Sequence, residues 1–169
     1  NSEKKKYADL SPDDQQLVEA HWDFPNDMQL SNRDYRPLRR IELFNGVVFG
    51  GDQRRNNLMT GPCSIESEAQ IRQVAELCIE MGVKVLRAGA YKPRTAPYSF
   101  QGMGLEGLKL LAKMREEYDL AIITEVRDAS QVDVVIEYAD IVQVGAKAMY
   151  DQGILRACAK TTKPIMIKR

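Results

Sequence analysis

The sequence predicts an α/β fold, namely a (β/α)8 (TIM) barrel of which about five βα units are present. Three observations lead to this prediction. From Leu58 onward, short apolar runs alternate with helical patterns, which is typical of parallel strands joined by right-handed crossovers. Each predicted strand has a polar residue at or just past its carboxyl end. A closed barrel takes about 250 residues, whereas this chain has 169, so we expect the front part of a barrel.

The polar residues at the strand ends favour a barrel over an open doubly wound sheet. An open sheet concentrates functional groups at one switch point, whereas a barrel presents them around the mouth formed by the carboxyl ends of its strands. In chain order the residues at these ends are Cys63, Arg87, Glu125, Lys147 and Lys168.

Hydrophobic periodicity gives the boundaries of the predicted elements. The predicted strands are residues 58–61, 83–88, 121–125, 140–144 and 164–168, and the predicted helices are residues 65–81, 105–118, 128–138 and 151–160. We expect Gly82 to end the first of these helices and Asp151 to cap the last.

The chain before the barrel divides into two predicted segments. Residues 1–40 are expected to form an arm that contains one short helix, from Pro12 to about His21, because Ser11-Pro12 is a typical helix start. Residues 41–57 are expected to form a β-hairpin and a linker, in which Asn45-Gly46 suits a type I′ turn. Residues 58–169 form the partial barrel.

Composition excludes some classes of function. The net charge is zero at pH 7, so we expect neither a nucleic-acid nor a membrane partner. The three cysteines form no CxxC pair, which favours a reduced, cytoplasmic setting. His21, the one histidine, lies in the arm, where packing or solvent exposure is expected rather than catalysis.

The stretch from Lys84 to Gly104 predicts an anion site. It places Arg87, Lys92 and Arg94 where a buried strand passes into a loop, and cations are costly there unless an anion binds. Phosphate fits, because arginine offers two parallel N–H donors and Thr95 can complete a cradle.

Each of these residues also has a purely structural interpretation. Arg87 and Lys92 could pair with Glu125 or another carboxylate inside the barrel, and Arg94-Thr95 could be an ordinary turn. The two lysines at later strand ends could extend to solvent. Cys63, judged alone, is more typical of a small buried residue than of a metal ligand.

Five motifs together resemble a known enzyme family: GPCSIES, LRAGAYKPRTAPYSFQGMG, ITEV, VGAKAMYD and PIMIKR. They are similar to class I 3-deoxy-D-arabino-heptulosonate 7-phosphate (DAHP) synthases, nearest to the type I beta branch, whose relatives include 3-deoxy-octulosonate 8-phosphate synthase. The resemblance extends from about Gly61 to Arg169, and the Arg-x4-Lys-Pro-Arg-Thr run is its most specific part. The hairpin within residues 41–57 also resembles the strands that cap the bottom of the barrel in this branch.

The resemblance implies a TIM-barrel transferase in aromatic amino acid biosynthesis. Such an enzyme condenses phosphoenolpyruvate with erythrose 4-phosphate to give DAHP and phosphate, the first step of the shikimate pathway. It needs a divalent metal ion (manganese, iron, cobalt or zinc), which would polarise the aldehyde as a Lewis acid. We also expect a homo-oligomer.

The resemblance also implies a role for each matching residue. Cys63 corresponds to a metal ligand, and Glu125 to an acidic residue near the reacting carbon. The matching groups that bind phosphoenolpyruvate are Arg87, Lys92 and Lys168, and those that bind the phosphate of erythrose 4-phosphate are Arg94 and Thr95. Lys92 is also the candidate proton donor.

The chain departs from the family pattern at two points. Lys147 stands where the family usually has arginine, and Ala148 where it usually has asparagine. The other metal ligands of the family follow later strands than those present here. Two alternative functions therefore stay open: a non-catalytic, phosphate-binding regulatory or assembly partner, and a related synthase that uses another aldose phosphate.

Overall fold

The computed structural model describes residues 11–13, 15, 39–52, 56–92, 94–96 and 98–169. The chain divides into two compact units, residues 1–39 and 40–169. In the first unit, Pro12, Asp13 and Gln15 are helical, and the Gln15 N–H donates to the Ser11 carbonyl at 2.9 Å. The rest of the predicted arm helix, including His21, lies outside the described residues.

A two-stranded antiparallel hairpin opens the second unit. It consists of β1 (Arg40–Glu42) and β2 (Val48–Gly50), with Ile41 opposite Phe49. The predicted hairpin is present, but the predicted type I′ turn is wrong. A type I′ turn needs positive φ at both central residues, and here Gly46 has φ 78° whereas Asn45 has no positive φ. The Gly46 N–H donates to Leu43 and the Leu43 N–H to Val47, as in a longer loop with a glycine bulge.

Asn45 instead uses its side chain to tie the hairpin to the sheet. Its Nδ2 donates to the carbonyl of Lys84 at 2.9 Å and to that of Asp119 at 3.0 Å. Lys84 directly precedes one strand of the parallel sheet, and Asp119 lies two residues before the start of the next. The hairpin is therefore held at the amino ends of those strands.

Five parallel strands form the main sheet. They are β3 (Met59–Thr60), β4 (Val85–Arg87), β5 (Ala121–Val126), β6 (Ile141–Val144) and β7 (Ile165–Ile167). Their spatial order follows the chain, β3-β4-β5-β6-β7. In a doubly wound sheet the spatial order of the strands reverses at a switch point, whereas the strand order of this sheet does not reverse. The predicted class, a parallel α/β fold with barrel-like order, is confirmed.

Helices connect the strands. They are α1 (Glu68–Glu80), α2 (Gly104–Tyr118), a 3-10 turn (Ala129–Gln131) that leads into α3 (Val132–Tyr138), and α4 (Gln152–Cys158). The predicted start of the first helix at Ile65 is wrong, because the Ser67 side chain accepts from the Gln70 N–H at 3.1 Å and caps α1 there. No helix among the described residues is long and apolar enough to cross a bilayer.

Two predicted helix ends are confirmed. Gly82 has φ 68°, and the Val83 N–H donates back to the Cys78 carbonyl at 2.8 Å, which is the pattern of a Schellman motif. The Asp151 carboxylate accepts from the Ile154 N–H at 3.0 Å and caps α4.

The sheet separates two apolar layers. Its outer face, which includes Leu86, Ile122 and Val142, packs against the helices together with the buried Cys78 and Cys158. Burial raises the pKa of both thiols. Two apolar residues at the ends of these helices, Ile79 and Leu105, lie outside this core and are 49% and 43% exposed. They lie in the last turn of α1 and the first turn of α2.

The inner face of the sheet packs against the hairpin. Val85, Ala121, Ile123 and Ile141 form a second buried cluster with the hairpin residues Leu43 and Val47. Apolar side chains therefore fill the interior beside the amino ends of the strands. Polar side chains on this face are left to the carboxyl ends.

A group of ion pairs joins α1 to α2. Arg72 donates to Glu68 at 3.0 Å and pairs with Glu117, and its Nη1 also contacts the Tyr118 hydroxyl. Lys113 donates to Glu68 at 2.6 Å. Hydrogen bonds from Lys113 and Arg72 lower the pKa of Glu68, and Arg72 lowers that of Glu117. The pKa of Arg72 is raised, so its charge persists over the accessible pH range.

These shifts predict a pH-dependent loss of stability in Arg72→Gln. A carboxyl whose pKa is lower in the folded state stabilises the fold above its unfolded pKa of about 4.5, and this contribution is lost as the pH falls through the folded pKa. We therefore expect a small decrease in Tm at pH 7 that shrinks progressively as the pH falls below about 4.5.

Thermal melts between pH 7 and 3 test this. Arg156→Gln is the control, because Arg156 is exposed on α4 and has no ion pair among the described residues. A Tm difference for Arg72→Gln that stays constant across this range would contradict the assignment.

Candidate functional site

Strand alternation brings three polar side chains to one place. Side chains two residues apart along a strand lie on the same face of the sheet. The inner-face residues Val85, Ile123 and Ile141 are therefore followed on that face by Arg87, Glu125 and Gln143, respectively. Glu125 is paired directly with Gln143 across β5 and β6. The three side chains therefore meet on the inner face at the carboxyl ends of the strands.

The Glu125 carboxylate accepts hydrogen bonds from three side chains. Its Oε2 accepts from Arg87 Nη2 at 3.1 Å and from Gln143 Nε2 at 2.9 Å. Its Oε1 accepts from Arg127 Nη1 at 2.5 Å. The glutamate side chain is 14% exposed, and those of Arg87 and Arg127 are 20% and 23% exposed. We call Arg87, Glu125, Arg127 and Gln143 the Glu125 cluster.

Arg87 makes further contacts that fix its guanidinium. Its Nε donates to Gln143 Oε1 at 3.1 Å, and its Nη1 lies 3.4 Å from the Pro62 carbonyl. The amide of Gln143 is thus bonded on both ends, and its residue is only 2% exposed. This pairing of Arg87 with Glu125 is the contact expected if Arg87 has a purely structural role. The pairing nevertheless leaves some N–H groups of Arg87 available for a ligand.

Gly145, which follows β6, provides the space for this arrangement. A Cβ built at Gly145 would overlap Glu125 Oε1 and approach Arg127 Nη1 to 3.3 Å. Any side chain at position 145 would displace the carboxylate from its three donors.

Two members of the cluster were missed from the sequence. Gln143 is the inward position of a predicted strand, one pair along from Ile141, so alternation alone would have placed it beside Glu125. Arg127 follows Glu125 by two residues and lies just past the end of β5. The same counting would have placed it above Glu125 on the same face.

The loop after β4 has a compact backbone. The Lys92 N–H donates to the Gln101 carbonyl at 2.8 Å, and the Arg94 N–H donates to Gln101 Oε1 at 3.1 Å. Tyr91 forms an isolated bridge with Gly102. Gly102 has φ 93°, and a Cβ there would lie 2.9 Å from the Lys92 nitrogen. Glutamine and glycine thus fix the path of the chain on either side of the predicted phosphate contacts.

The side chains of this loop are available to a ligand. Lys92 is half-buried, and Arg94 and Thr95 are exposed. Within the described residues, none of these three side chains has a protein hydrogen-bond partner or ion pair. The alternative in which Lys92 pairs with a carboxylate is therefore not seen there, while the ordinary-turn interpretation of Arg94-Thr95 stays open. Pro93 and Pro97 lie outside the described residues.

The remaining candidates lie at the ends of other strands and are exposed. Lys147 follows β6, and Lys168 follows β7, where its N–H donates to the Val144 carbonyl at 2.9 Å. Cys63 is also exposed, so the interpretation of this residue as small and buried is wrong. The neighbouring Ser64 is buried in its place, with its Oγ lacking a hydrogen-bond partner.

The described residues do not form a metal site. No group of three or more histidine, cysteine, aspartate or glutamate side chains among them is arranged to hold a metal ion. Cys63 alone is too few ligands for a divalent ion. The described residues do form a region of excess positive charge at the carboxyl ends of the strands, which we call the cationic mouth. Arg87 and Arg127 outnumber Glu125 there, and lysines lie at the neighbouring strand ends.

Comparisons of the sequence with known proteins all point to one family. The model of the DAHP synthetase I family matches residues 27–169. Phospho-2-dehydro-3-deoxyheptonate aldolase of Thermotoga maritima is 42% identical over 141 residues, covering 83% of this chain and 41% of the relative. A 2-dehydro-3-deoxyphosphooctonate aldolase of Fusobacterium nucleatum is 35% identical over 139 residues, covering 78% of this chain and 49% of the relative.

Solved structures give the same family. The crystal structure of DAHP synthase from Thermotoga maritima matches with a TM-score of 0.74 and 37% identity, over 81% of this chain and 39% of that one. A truncated form of the Thermotoga maritima enzyme matches with a TM-score of 0.72 and 31% identity, over 85% of this chain and 50% of that one. The chain thus spans half or less of the length of these proteins. On this evidence, the chain belongs to the DAHP synthetase I family.

Proposed function

We propose that the protein containing this chain condenses phosphoenolpyruvate with erythrose 4-phosphate to give DAHP and phosphate. The observation that carries the proposal is the Glu125 cluster, which places two arginines on the inner face of the sheet. In the loop that follows β4, the side chains of Lys92 and Arg94 have no partner among the described residues. The identity to the heptonate enzyme, 42%, is higher than the 35% and 39% identity to two octonate enzymes, which favours erythrose 4-phosphate as the acceptor.

The reaction needs what these residues can supply. Both substrates carry phosphate, and phosphoenolpyruvate also carries a carboxylate, so several cations are required around them. Arg87, with Lys168 at the end of β7, would bind phosphoenolpyruvate. Arg94 and Thr95 would bind the phosphate of the sugar. Fixing both phosphates holds the two reacting carbons in a defined orientation, which is a large part of the rate enhancement in such condensations.

Lys92 is the proposed proton donor. The condensation uses the C=C electrons of phosphoenolpyruvate to join its methylene carbon to the aldehyde carbon of the sugar phosphate, so the aldehyde oxygen gains negative charge and needs a proton. Water adds to the carbon of phosphoenolpyruvate that bears the phosphate ester, and phosphate then leaves that carbon. Lys92 lies in the chain between Arg87 and Arg94, the residues assigned to the two substrates, and its backbone is fixed by Gln101. An ammonium group there would donate a proton and stabilise the charge as it develops.

Lys147 would contribute to the phosphoenolpyruvate side. It keeps the positive charge that family members carry as arginine but loses the paired N–H donors. The neighbouring Ala148 is buried, with 7% of its surface exposed. We expect weaker binding of phosphoenolpyruvate than an arginine at position 147 would give.

Metal dependence stays a prediction. Cys63, exposed after β3, is the candidate ligand in this chain, and manganese, iron, cobalt or zinc would be suitable ions. A cytoplasmic setting and a homo-oligomeric state are likewise predictions from the sequence.

A synthase for another aldose phosphate is the second candidate. It is favoured by the matches to 2-dehydro-3-deoxyphosphooctonate aldolases. Because both reactions would begin with phosphoenolpyruvate, the same Arg87 site would be used. The candidates differ in the length of the acceptor sugar, which would contact Arg94 and Thr95.

Phosphate release by the full-length protein tests the proposal. With phosphoenolpyruvate, erythrose 4-phosphate and manganese, we expect turnover that a chelator abolishes and that exceeds turnover with arabinose 5-phosphate by at least about tenfold. Faster turnover with the five-carbon sugar would establish the second candidate. The absence of metal-dependent release with either sugar would contradict both and favour a non-catalytic role.

Substitution of Lys92 tests the proton donor. We expect Lys92→Ala to lower kcat by about 10²- to 10⁴-fold, because general acid catalysis contributes a factor of this size. The control is Lys109→Ala, since Lys109 lies exposed on α2 and is paired with Glu106. Steady-state kinetics measure both variants. Turnover of Lys92→Ala close to that of the wild type would exclude this role.

A further inference from the structure

We propose that Arg127 is a positioning residue that offsets the charge of Glu125, so that Arg87 stays effectively cationic toward phosphoenolpyruvate. The inference rests on the proposed function. It concerns a residue that neither the motifs nor the strand-end pattern assigned. Its basis is the division of the Glu125 carboxylate between two arginines.

The two arginines bind different oxygens of Glu125. Arg127 Nη1 donates to Oε1 at 2.5 Å, whereas Arg87 Nη2 donates to Oε2 at 3.1 Å. All three side chains are mostly buried, with exposures of 14% for Glu125, 20% for Arg87 and 23% for Arg127. Charges at this depth are screened less by salt and solvent than surface charges are.

The backbone holds Arg127 in this position. Its N–H donates to the side chain of Gln131 at 3.0 Å. The next residue, Asp128, caps the 3-10 turn through a 2.8 Å bond from the Ser130 N–H. Gly145 leaves the space beside Glu125 into which Arg127 reaches. The chain therefore directs Arg127 back over the end of β5 instead of out toward solvent.

The charge balance gives Arg127 its effect. Arg87 and Glu125 alone would be a neutral pair, and a neutral pair attracts an anion weakly. Arg127 makes the group of three net positive. An entering phosphate or carboxylate then meets an Arg87 whose charge is not cancelled, and whose remaining N–H groups can donate to the ligand.

This role differs from two simpler ones. If Arg127 bound the ligand directly, its loss would weaken binding whether or not Glu125 were charged. If Arg127 only stabilised the fold, its loss would lower Tm and leave the affinity of the folded protein unchanged. In the positioning role, removing the charge of Glu125 as well restores the affinity, because Arg87 is then no longer neutralised.

Calorimetric titration of the full-length protein with phosphoenolpyruvate alone tests the inference. We expect Arg127→Gln to raise Kd by about tenfold. Arg127→Lys should raise Kd less, because lysine keeps the charge while losing the paired N–H donors of arginine. The double variant Glu125→Gln/Arg127→Gln should have a Kd within about threefold of that of the wild type. Arg156→Gln, an equal change of charge on α4, is the control and should bind as wild type does. Thermal melts of each variant confirm that the protein titrated is folded.

The outcomes separate this inference from the proposed function. Absence of binding by the wild type would contradict the proposed function, and the inference with it. Binding by the wild type with an unchanged Kd for Arg127→Gln would overturn the inference alone. A double variant as weak as Arg127→Gln would also overturn it, because Arg127 would then act on the ligand or the fold and not through Glu125.

Discussion

The ionic contact between Glu125 and Arg87 is the interaction on which the proposed site depends. It joins neighbouring strands, because Arg87 ends β4 and Glu125 lies near the end of β5. Gln143 on β6 bonds to both partners, so one carboxylate links three consecutive strands at their carboxyl ends. A shift of any of these strands by one residue would turn its polar group to the outer face, among the helices.

The position of this contact follows from what fills the rest of the inner face. Near the amino ends of the strands, Ile123 and Ile141 pack with Leu43 and Val47 of the hairpin, which excludes water and leaves no room for charge. Two residues farther along, the same face carries the Glu125 cluster. Replacing a mostly buried ion pair with apolar side chains is often neutral or stabilising. The excess of arginine over glutamate here is therefore better explained by an anionic ligand than by stability.

Much of the fold could be predicted because its signals are local. Gly82 and Asp151 end and cap helices through contacts within a few residues, and alternating apolar runs locate the parallel strands. The type of the hairpin turn could not be predicted, since Asn45 gives up the left-handed conformation and uses its side chain to bond Lys84 and Asp119, which are distant in sequence. The exposure of Cys63 likewise depends on the path of the chain after β3.

The candidate site was only partly predictable for the same reason. Arg87, Lys92 and Glu125 could be singled out because a charge at the end of an apolar strand is unusual. Strand alternation places Gln143 and Arg127 on the same face as Glu125, but alternation alone does not show that either side chain bonds to it. Their importance comes from the register of β5 and β6, which pairs Glu125 with Gln143 and places Gly145 beside them.

A crystal structure of the full-length protein with phosphoenolpyruvate would test the central claim, that the mouth built on the Glu125 cluster is the anion site. The expected result is the ligand on the inner face, with its phosphate or carboxylate within about 3.2 Å of Arg87 and Lys92 and with Glu125 still bonded to Arg127. Phosphoenolpyruvate bound elsewhere, with Arg87 contacting only Glu125, Gln143 and Pro62, would contradict the claim.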